Sequence, residues 1–291
     1  MKDIISIDVE DWFHILELES TPNLHEWDNL ESRIENSFLN ILDILEEKNV
    51  RATCFFLGWI AEKYPQLVIE ASKRRHEIAS HGYAHQLIYT QTESQFYEDI
   101  SKTKHLLENI SGTEVIGYRA PGFSIIPETT WAFAQLAKAG YKYDSSLFPA
   151  KRGHGYFLEA TLYPFKIADL DFYEFPITVA HFLSKNICFF GGGYLRLFPY
   201  WLIKIMKKQV ANENRPVIYY IHPREIDINQ PRLAMNLKRH FKSYINLKTT
   251  KVKLRKIIAN NEYISFAGFL REYEEYFVAT SKNLALPKSS T

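Results

Sequence analysis

His81 and His85, in "EIASHGYAH", stand four residues apart just after a short apolar run. On a helical turn, imidazoles at i and i+4 project from one face and can converge on one cation. With ten histidines in the chain, that spacing alone says little. It gains weight from "IISIDVEDWFH" (residues 4–14), where an apolar run ends in Asp8, Glu10 and Asp11. Neighbouring carboxylates raise one another's pKa, and an unpaired buried charge is costly. A divalent ion offsets that charge and inverts the local pKa logic. A carboxylate from this run plus His81 and His85 forms a ligand set with positions left open for water and substrate. One acid then holds metal while another serves as a base.

Those residues need elements to place them. Strand candidates are Asp3–Val9, Arg51–Leu57, Glu77–Ser80, Glu114–Tyr118, Tyr141–Asp144, Phe172–Phe175 and Val217–Ile221. Ile34, Phe38, Ile41, Leu42 and Leu45 form an apolar stripe on a helix between the first two. Phe96, Ile100, Thr103, Leu107 and Ile110 form another, opened by a capping box at Thr92 and Gln95. A third helix begins near Pro127 and stops at Gly140. Strand–helix alternation implies parallel strands with helical crossovers. Asp8, His81, Arg119, Asp144 and His222 each fall at or just past the C-terminal end of a different strand. A barrel distributes its functional groups this way, whereas an open sheet concentrates them at one switch point. No glycine-rich phosphate loop follows the first strand, and "FGGGY" (Phe190–Tyr194) fits neither standard spacing. The expected fold is α/β, a distorted (β/α)7 TIM-like barrel over residues 1–230. A basic helical C-terminal extension, residues 231–291, packs on it.

The bulk properties are compatible with one such domain. The chain has 291 residues, 46% of them hydrophobic, and a formal net charge of +1, which gives no commitment to nucleic acid. Cys54 and Cys188 form no CxxC pair and read as core thiols. The acidic N-terminus lacks an apolar signal region and no apolar stretch reaches ~18 residues, which implies a cytoplasmic protein. "FPYWLIKIMKKQVA" (Phe198–Ala211) and the basic tail leave room for contact with the inner face of a membrane or with a lipid-linked glycan. No feature specifies an oligomeric state.

"YRAPGF" (Tyr118–Phe123), "YDSS" (Tyr143–Ser146) and "YYIHP" (Tyr219–Pro223) complete a set of five motifs. With these in order over residues 1–223, the chain resembles the polysaccharide deacetylase (NodB-homology) superfamily. The resemblance implies a metal-dependent hydrolase of linear amides that removes acetyl groups from N-acetylated amino sugars. By position, Asp8 matches the catalytic base, His81 and His85 the metal-binding histidines, Arg119 the residue orienting the base, and His222 the catalytic acid. Pro121, Gly122, Phe123 and Asp144 fall where the substrate groove is expected, with a backbone N–H near Gly122–Phe123 facing the oxyanion. The family's first motif has adjacent aspartates, whereas Val9 follows Asp8 here, so the metal carboxylate is Glu10 or Asp11. Glu10 shares the face of Asp8 by the period-two rule. Zinc is the default ion, with cobalt, nickel or iron accepted by the same ligands. "FGGGYLRLFP", "HPREID" and "QPRL" resemble a subgroup found at exopolysaccharide loci (exosortase-associated), which implies a role in exopolysaccharide biosynthesis.

His14 and His154 are further candidates to face the cleft, and Trp12, Phe13, Phe123 and Tyr194 could stack on sugar rings. Two other functions remain compatible with the chain: a cyclic amide hydrolase on the same barrel, and a non-catalytic glycan-binding module.

Overall fold

The structure is a computed structural model that describes residues 1–280 except 17, 154, 168, 169 and 260. Its first strand, β1 (Asp3–Val9), is buried along its whole length because both faces are covered. Ile5, Ile7 and Val9 face outward into the main core beneath the helices. The alternate set, Ile4, Ser6, Asp8 and Glu10, forms a column on the inner face, apolar at the bottom and acidic at the top. Successive strand residues point to opposite faces, so seven residues line two different environments.

The remaining strands are β2 (Thr53–Phe56), β3 (Glu77–Ser80), β4 (Gly117–Tyr118), β5 (Tyr143–Asp144), β6 (Phe165–Ile167), β7 (Phe172–Glu174), β8 (Ala180–Phe182), β9 (Lys185–Ile187), β10 (Ile218–Ile221) and β11 (Tyr263–Ile264). The main sheet runs β10-β1-β2-β3-β4-β5-β7, all parallel, and β6 adds antiparallel to β7. These seven parallel strands correspond to the seven expected from the sequence. The sheet curls into a half-barrel. Across the remaining gap the Ile218 N–H donates to Thr178 Oγ1 at 2.9 Å, and that hydroxyl donates to the Pro216 carbonyl at 3.2 Å. The β8–β9 hairpin forms a separate two-stranded sheet.

Helices cover the outside. In α1 (Ile34–Glu46) the stripe Ile34, Phe38, Ile41, Leu42 and Leu45 is buried. Helices α2 (Gly58–Lys63) and α3 (Pro65–Lys73) follow β2. Helix α4 (Glu93–Ser111) starts with the Thr92–Gln95 capping box and ends at Gly112, whose φ of 66° suits the left-handed C-terminal position. Then come α5 (Trp131–Lys138), α6 (Gly192–Leu197) and α7 (Tyr200–Asn212). Among the described residues no helix is long and apolar enough to cross a membrane.

The C-terminal segment does more than coat the barrel. After α8 (Leu237–Tyr244) and α9 (Leu247–Ile258), β11 pairs with Asp3 and Ile4, the stretch of β1 that precedes the β2 ladder. Helix α10 (Phe266–Glu272) then carries Phe266 into the floor of the half-barrel. The ring stacks on Tyr143 at 5.3 Å and meets Phe55 and Phe175 edge-on. Its backbone N–H donates to Thr53 Oγ1, and the next donates to Glu77 Oε2. One end of the half-barrel is thereby plugged, and the other holds the inner-face polar residues.

Candidate active site

Along the inner face, side chains stack in layers. Above Phe266 lie Ser6, Phe55, Ala79 and Arg119. Above them stand Asp8, Glu10, His81 and His222. Arg119 is fully buried, an arrangement tolerated because four of its N–H donors and its charge are engaged. Nη1 donates to Asp8 Oδ1 at 2.6 Å and to Ser6 Oγ at 2.8 Å, Nη2 donates to Ser145 Oγ, and Nε to the Ser145 carbonyl. The guanidinium also lies 4.2 Å from the Phe55 ring centroid. Asp8 is therefore held by a charge-assisted bond on one oxygen, with the other 3.7 Å from His222 Nε2.

His81 and His85 converge on a single atom. Each Nε2 lies 2.9 Å from Glu10 Oε1. The tautomer of His81 follows from its other nitrogen: Nδ1 donates to the Arg119 carbonyl at 2.7 Å, so neutral His81 has only a lone pair at Nε2. A lone pair facing a carboxylate is repulsive unless a proton or cation lies between them. The three ligand atoms lie within 4.8 Å of one another. That donor set and the outer hydrogen bond fixing His81 fit a divalent cation.

The i, i+4 spacing does not act through a helical turn as expected. Residues 81–87 form a loop, with Gly82 at φ 71° and His85 at φ 53°. The left-handed conformation at His85 is uncommon for a residue with a Cβ and turns the second imidazole back toward the first. Asp99 of α4 fixes this loop: both of its oxygens accept the Tyr83 N–H, at 3.0 and 3.1 Å. Burial pushes the Asp99 carboxyl up to about 6.

Asp11, the alternative metal carboxylate, is committed elsewhere. Its oxygens accept the backbone N–H groups of Trp12, Arg33 and Ile34 and the Ser32 hydroxyl, tying the first turn of α1 to the strand end. Burial raises its pKa despite these donors. Asp144 also departs from the expectation. It lies on the outward face of β5 while Tyr143 and Ser145 point inward, and it is fully buried and accepts the Ser146 hydroxyl at 2.6 Å. Burial brings it up to about 6 and pushes its neighbour Glu174 well up, so the two share a proton away from the cleft. Pro121 is buried and opens the 3-10 turn of residues 121–123 without lining the cleft, whereas Gly122 and Phe123 do line it. The Phe123 N–H donates to the Ala120 carbonyl at 2.9 Å, so the expected oxyanion donor is already used.

His222 sits just past β10. Its Nδ1 meets Glu225 Oε1 at 3.2 Å, and its Nε2 faces Asp8 and Glu10. Burial would lower its pKa, but Glu10, Glu225 and Asp8 together raise it to about 9. Burial likewise disfavours the charged form of Glu10, yet His85, His222 and His81 hold it well below the usual carboxylate range. Sequence reasoning missed Glu225 and Asp99. Glu225 had a readable signal, since it stands three residues after His222 across Pro223, on one face of a short turn. His14 lines the cleft as anticipated. Its Nδ1 accepts the Asp11 N–H at 2.9 Å, so Nε2 carries the hydrogen and offers no lone pair to a metal. Trp12 and Phe13 are buried in the core, Tyr194 borders the cleft, and His154 lies outside the described residues.

Residues 27–143 match the family model described as "Polysaccharide deacetylase". That segment is similar to the polysaccharide deacetylases. Residues 145–271 match a domain of unknown function, DUF3473. The first of these segments holds His81, His85 and Arg119, Asp8 and Glu10 precede it, and His222 with Glu225 comes from the second. A peptidoglycan-N-acetylglucosamine deacetylase from Bacillus cereus is 34% identical over 96 residues, 33% of this chain and 35% of that protein. A peptidoglycan deacetylase from Helicobacter pylori is 28% identical over 112 residues, 37% of this chain and 36% of that protein. The chain thus spans about a third of the length of these curated relatives. A crystal structure from Mycobacterium smegmatis, named for the polysaccharide deacetylases, aligns over 99% of this chain and 96% of its own with a TM-score of 0.62. At 18% identity that likeness concerns the fold.

Proposed function

We propose that this protein is a metal-dependent N-deacetylase that removes acetyl groups from the N-acetylated amino sugars of a bacterial polysaccharide. The observation that carries the reading is the meeting of His81, His85 and Glu10 within 2.9 Å beside the Arg119-bound Asp8. Glu10, His81 and His85 hold the cation, with zinc the default. When bound, the ion supplies a Lewis acid that acidifies water and polarises the acetyl carbonyl.

The chain's own residues do the rest. Asp8, aimed by Arg119, accepts the proton of the attacking water, a role typically worth ~10²–10⁴-fold. Glu225 and Asp8 favour the His222 imidazolium, which delivers its proton to the departing sugar nitrogen. Glu225 keeps Nδ1 engaged so that Nε2 faces the reacting centre. A free amine and acetate result. The cleft, about 310 Å³, is walled by Gly122, Phe123, Gly192, Gly193 and Tyr194. An exopolysaccharide substrate rests on the subgroup motifs.

The test is acetate release by the purified protein from N-acetylglucosamine oligomers, exopolysaccharide and peptidoglycan, with chelator and after metal is restored. Chelator-sensitive release from an N-acetylated glycan supports the reading. Saturable sugar binding without release of acetate overturns it in favour of a glycan-binding module.

A further inference from the structure

The cleft does not end at the histidines. Its far wall is built by "FGGGYLRLFP", "HPREID" and α8, and it is cationic. Arg196, Arg224, Arg239 and Lys242 all line it, beyond the Glu10–His81–His85 cluster. Acidic groups along the cleft are few and committed: Asp8 is bonded to Arg119, Glu10 faces the histidines, and Glu225 engages His222.

Arg196 is the foundation of this wall. It is 2% exposed, and its Nη1 and Nη2 donate at 3.0 Å to the Ile245 and Lys242 carbonyls, fixing the end of α8 against α6. Its Nε makes no hydrogen bond and lies 3.7 Å from Glu225. Gly193 permits this approach, since a Cβ there would stand 3.2 Å from the Lys242 carbonyl and 3.4 Å from Arg196 Nη2. The other three cations have donors to spare. Arg224 gives Nε to Gln230 and Nη2 to the Ser243 carbonyl, which leaves Nη1 unused among the described residues. Arg239 spends Nη2 on the Leu16 carbonyl, leaving Nε and Nη1 without a hydrogen bond to the described residues. The Lys242 ammonium, on an exposed side chain, makes no hydrogen bond to the described residues.

Placing like charges together on a shielded wall is unfavourable unless an anion is drawn in. Burial and then the charge of Arg196 lower the Arg224 pKa, and burial with Arg196 brings Lys253 behind them down to about 8. Guanidinium forks and an ammonium with free N–H groups match the oxygens of a phosphate or carboxylate.

We propose that this wall is an anion subsite, and that the substrate is an N-acetylated sugar bearing an acidic group, phosphate or carboxylate, held by Arg224, Arg239 and Lys242. The subsite itself stands on geometry; its place in the reaction rests on the deacetylase reading.

The test is isothermal titration of the metal-loaded full chain with N-acetylglucosamine, N-acetylglucosamine 1-phosphate and N-acetylmuramic acid. One or two charge-assisted hydrogen bonds correspond to about tenfold or more in affinity, so an acid-bearing sugar is expected to exceed the neutral one by that factor. The phosphate and carboxylate arms tell which acid is preferred. Arg239→Gln with Lys242→Gln, both on accessible side chains, should shrink the ratio to about twofold, and added salt should do the same. His81→Ala should preserve the ratio, which separates this wall from an anion sitting on the metal. Equal affinity for all three sugars overturns the proposal, as does a preference that survives the double variant and vanishes in His81→Ala. If acidic sugars bind preferentially but no N-acetyl group is ever released, the anion subsite stands and the deacetylase reading fails. If acetate is released and the sugars bind equally, the deacetylase stands and the subsite fails.

Discussion

Replacing Glu225 with glutamine keeps the side chain's size and removes one negative charge from beside His222. The Glu225 carboxylate is 1% exposed and lies 3.2 Å from Nδ1, so the imidazolium loses a shielded partner. At an effective dielectric constant of about 20, a charge pair at that distance is worth about 5 kcal/mol, a ceiling of about 4 pKa units. The glutamine oxygen still accepts the Nδ1–H bond, and Asp8 and Glu10 remain on the Nε2 side. A single opposite charge commonly moves a pKa by about 1–3 units, and a fall of about 1–2 is expected here. The pKa of His222, raised in the native chain by Glu10, Glu225 and Asp8, therefore lies about 1–2 units lower in the variant. His222 acts as an acid and must be protonated, so rate is lost as pH rises through its pKa. The assay is the pH profile of kcat/KM for acetate release between pH 5 and 10, with metal content measured in parallel. The basic limb should move to lower pH while metal content is unchanged. A limb that stays in place, or moves upward, refutes the assignment of His222 as the acid tuned by Glu225.

Asp11→Ala should cost about 2–4 kcal/mol in urea unfolding, because buried backbone N–H groups at the start of α1 lose their acceptor, while the variant binds its metal with native stoichiometry. Asp99→Ala should weaken metal affinity by about 10–100-fold in competitive chelator titrations, since the His81–His85 loop loses its anchor, with kcat at saturating metal much less affected. For Glu174→Gln the pH dependence of stability is diagnostic. Asp144 at about 6 and Glu174, well above its ordinary value, retain protons that the unfolded chain has lost, so native stability falls as pH rises from about 4 through the folded-state pKa values. The variant should gain in Tm relative to the native protein at pH 8 and gain less or nothing at pH 5.

The seven parallel strands were readable because each is a short apolar run carrying polar residues at its C-terminal end, the pattern of strands covered on both faces. Strands β6, β8, β9 and β11 lack that pattern and owe their conformation to their partners, so they were not. Phe266 illustrates the same limit. Nothing in its local sequence says that its ring plugs a barrel floor. Within the site, Asp8, Glu10, His81, Arg119 and His222 were legible because motif order and period-two geometry agree. Asp144 was misplaced because position at a strand end was weighed without its face, and the same period-two rule puts Tyr143 and Ser145 inside. Asp11 was ambiguous because its partners are 21–23 residues away, at the head of α1. The left-handed turn that joins His81 to His85 is set by Gly82 and by Asp99 on another helix, and spacing alone suggested a helical turn instead.

The central claim is that one divalent ion sits between Glu10 and the two imidazoles. Anomalous diffraction from crystals of the full chain grown with zinc measures this directly. The account predicts one strong peak about 2.0–2.2 Å from a Glu10 carboxylate oxygen and from Nε2 of His81 and His85, with Asp11 still on the backbone of α1. A peak coordinated by Asp11, or no ion among these three side chains at saturating zinc, contradicts it.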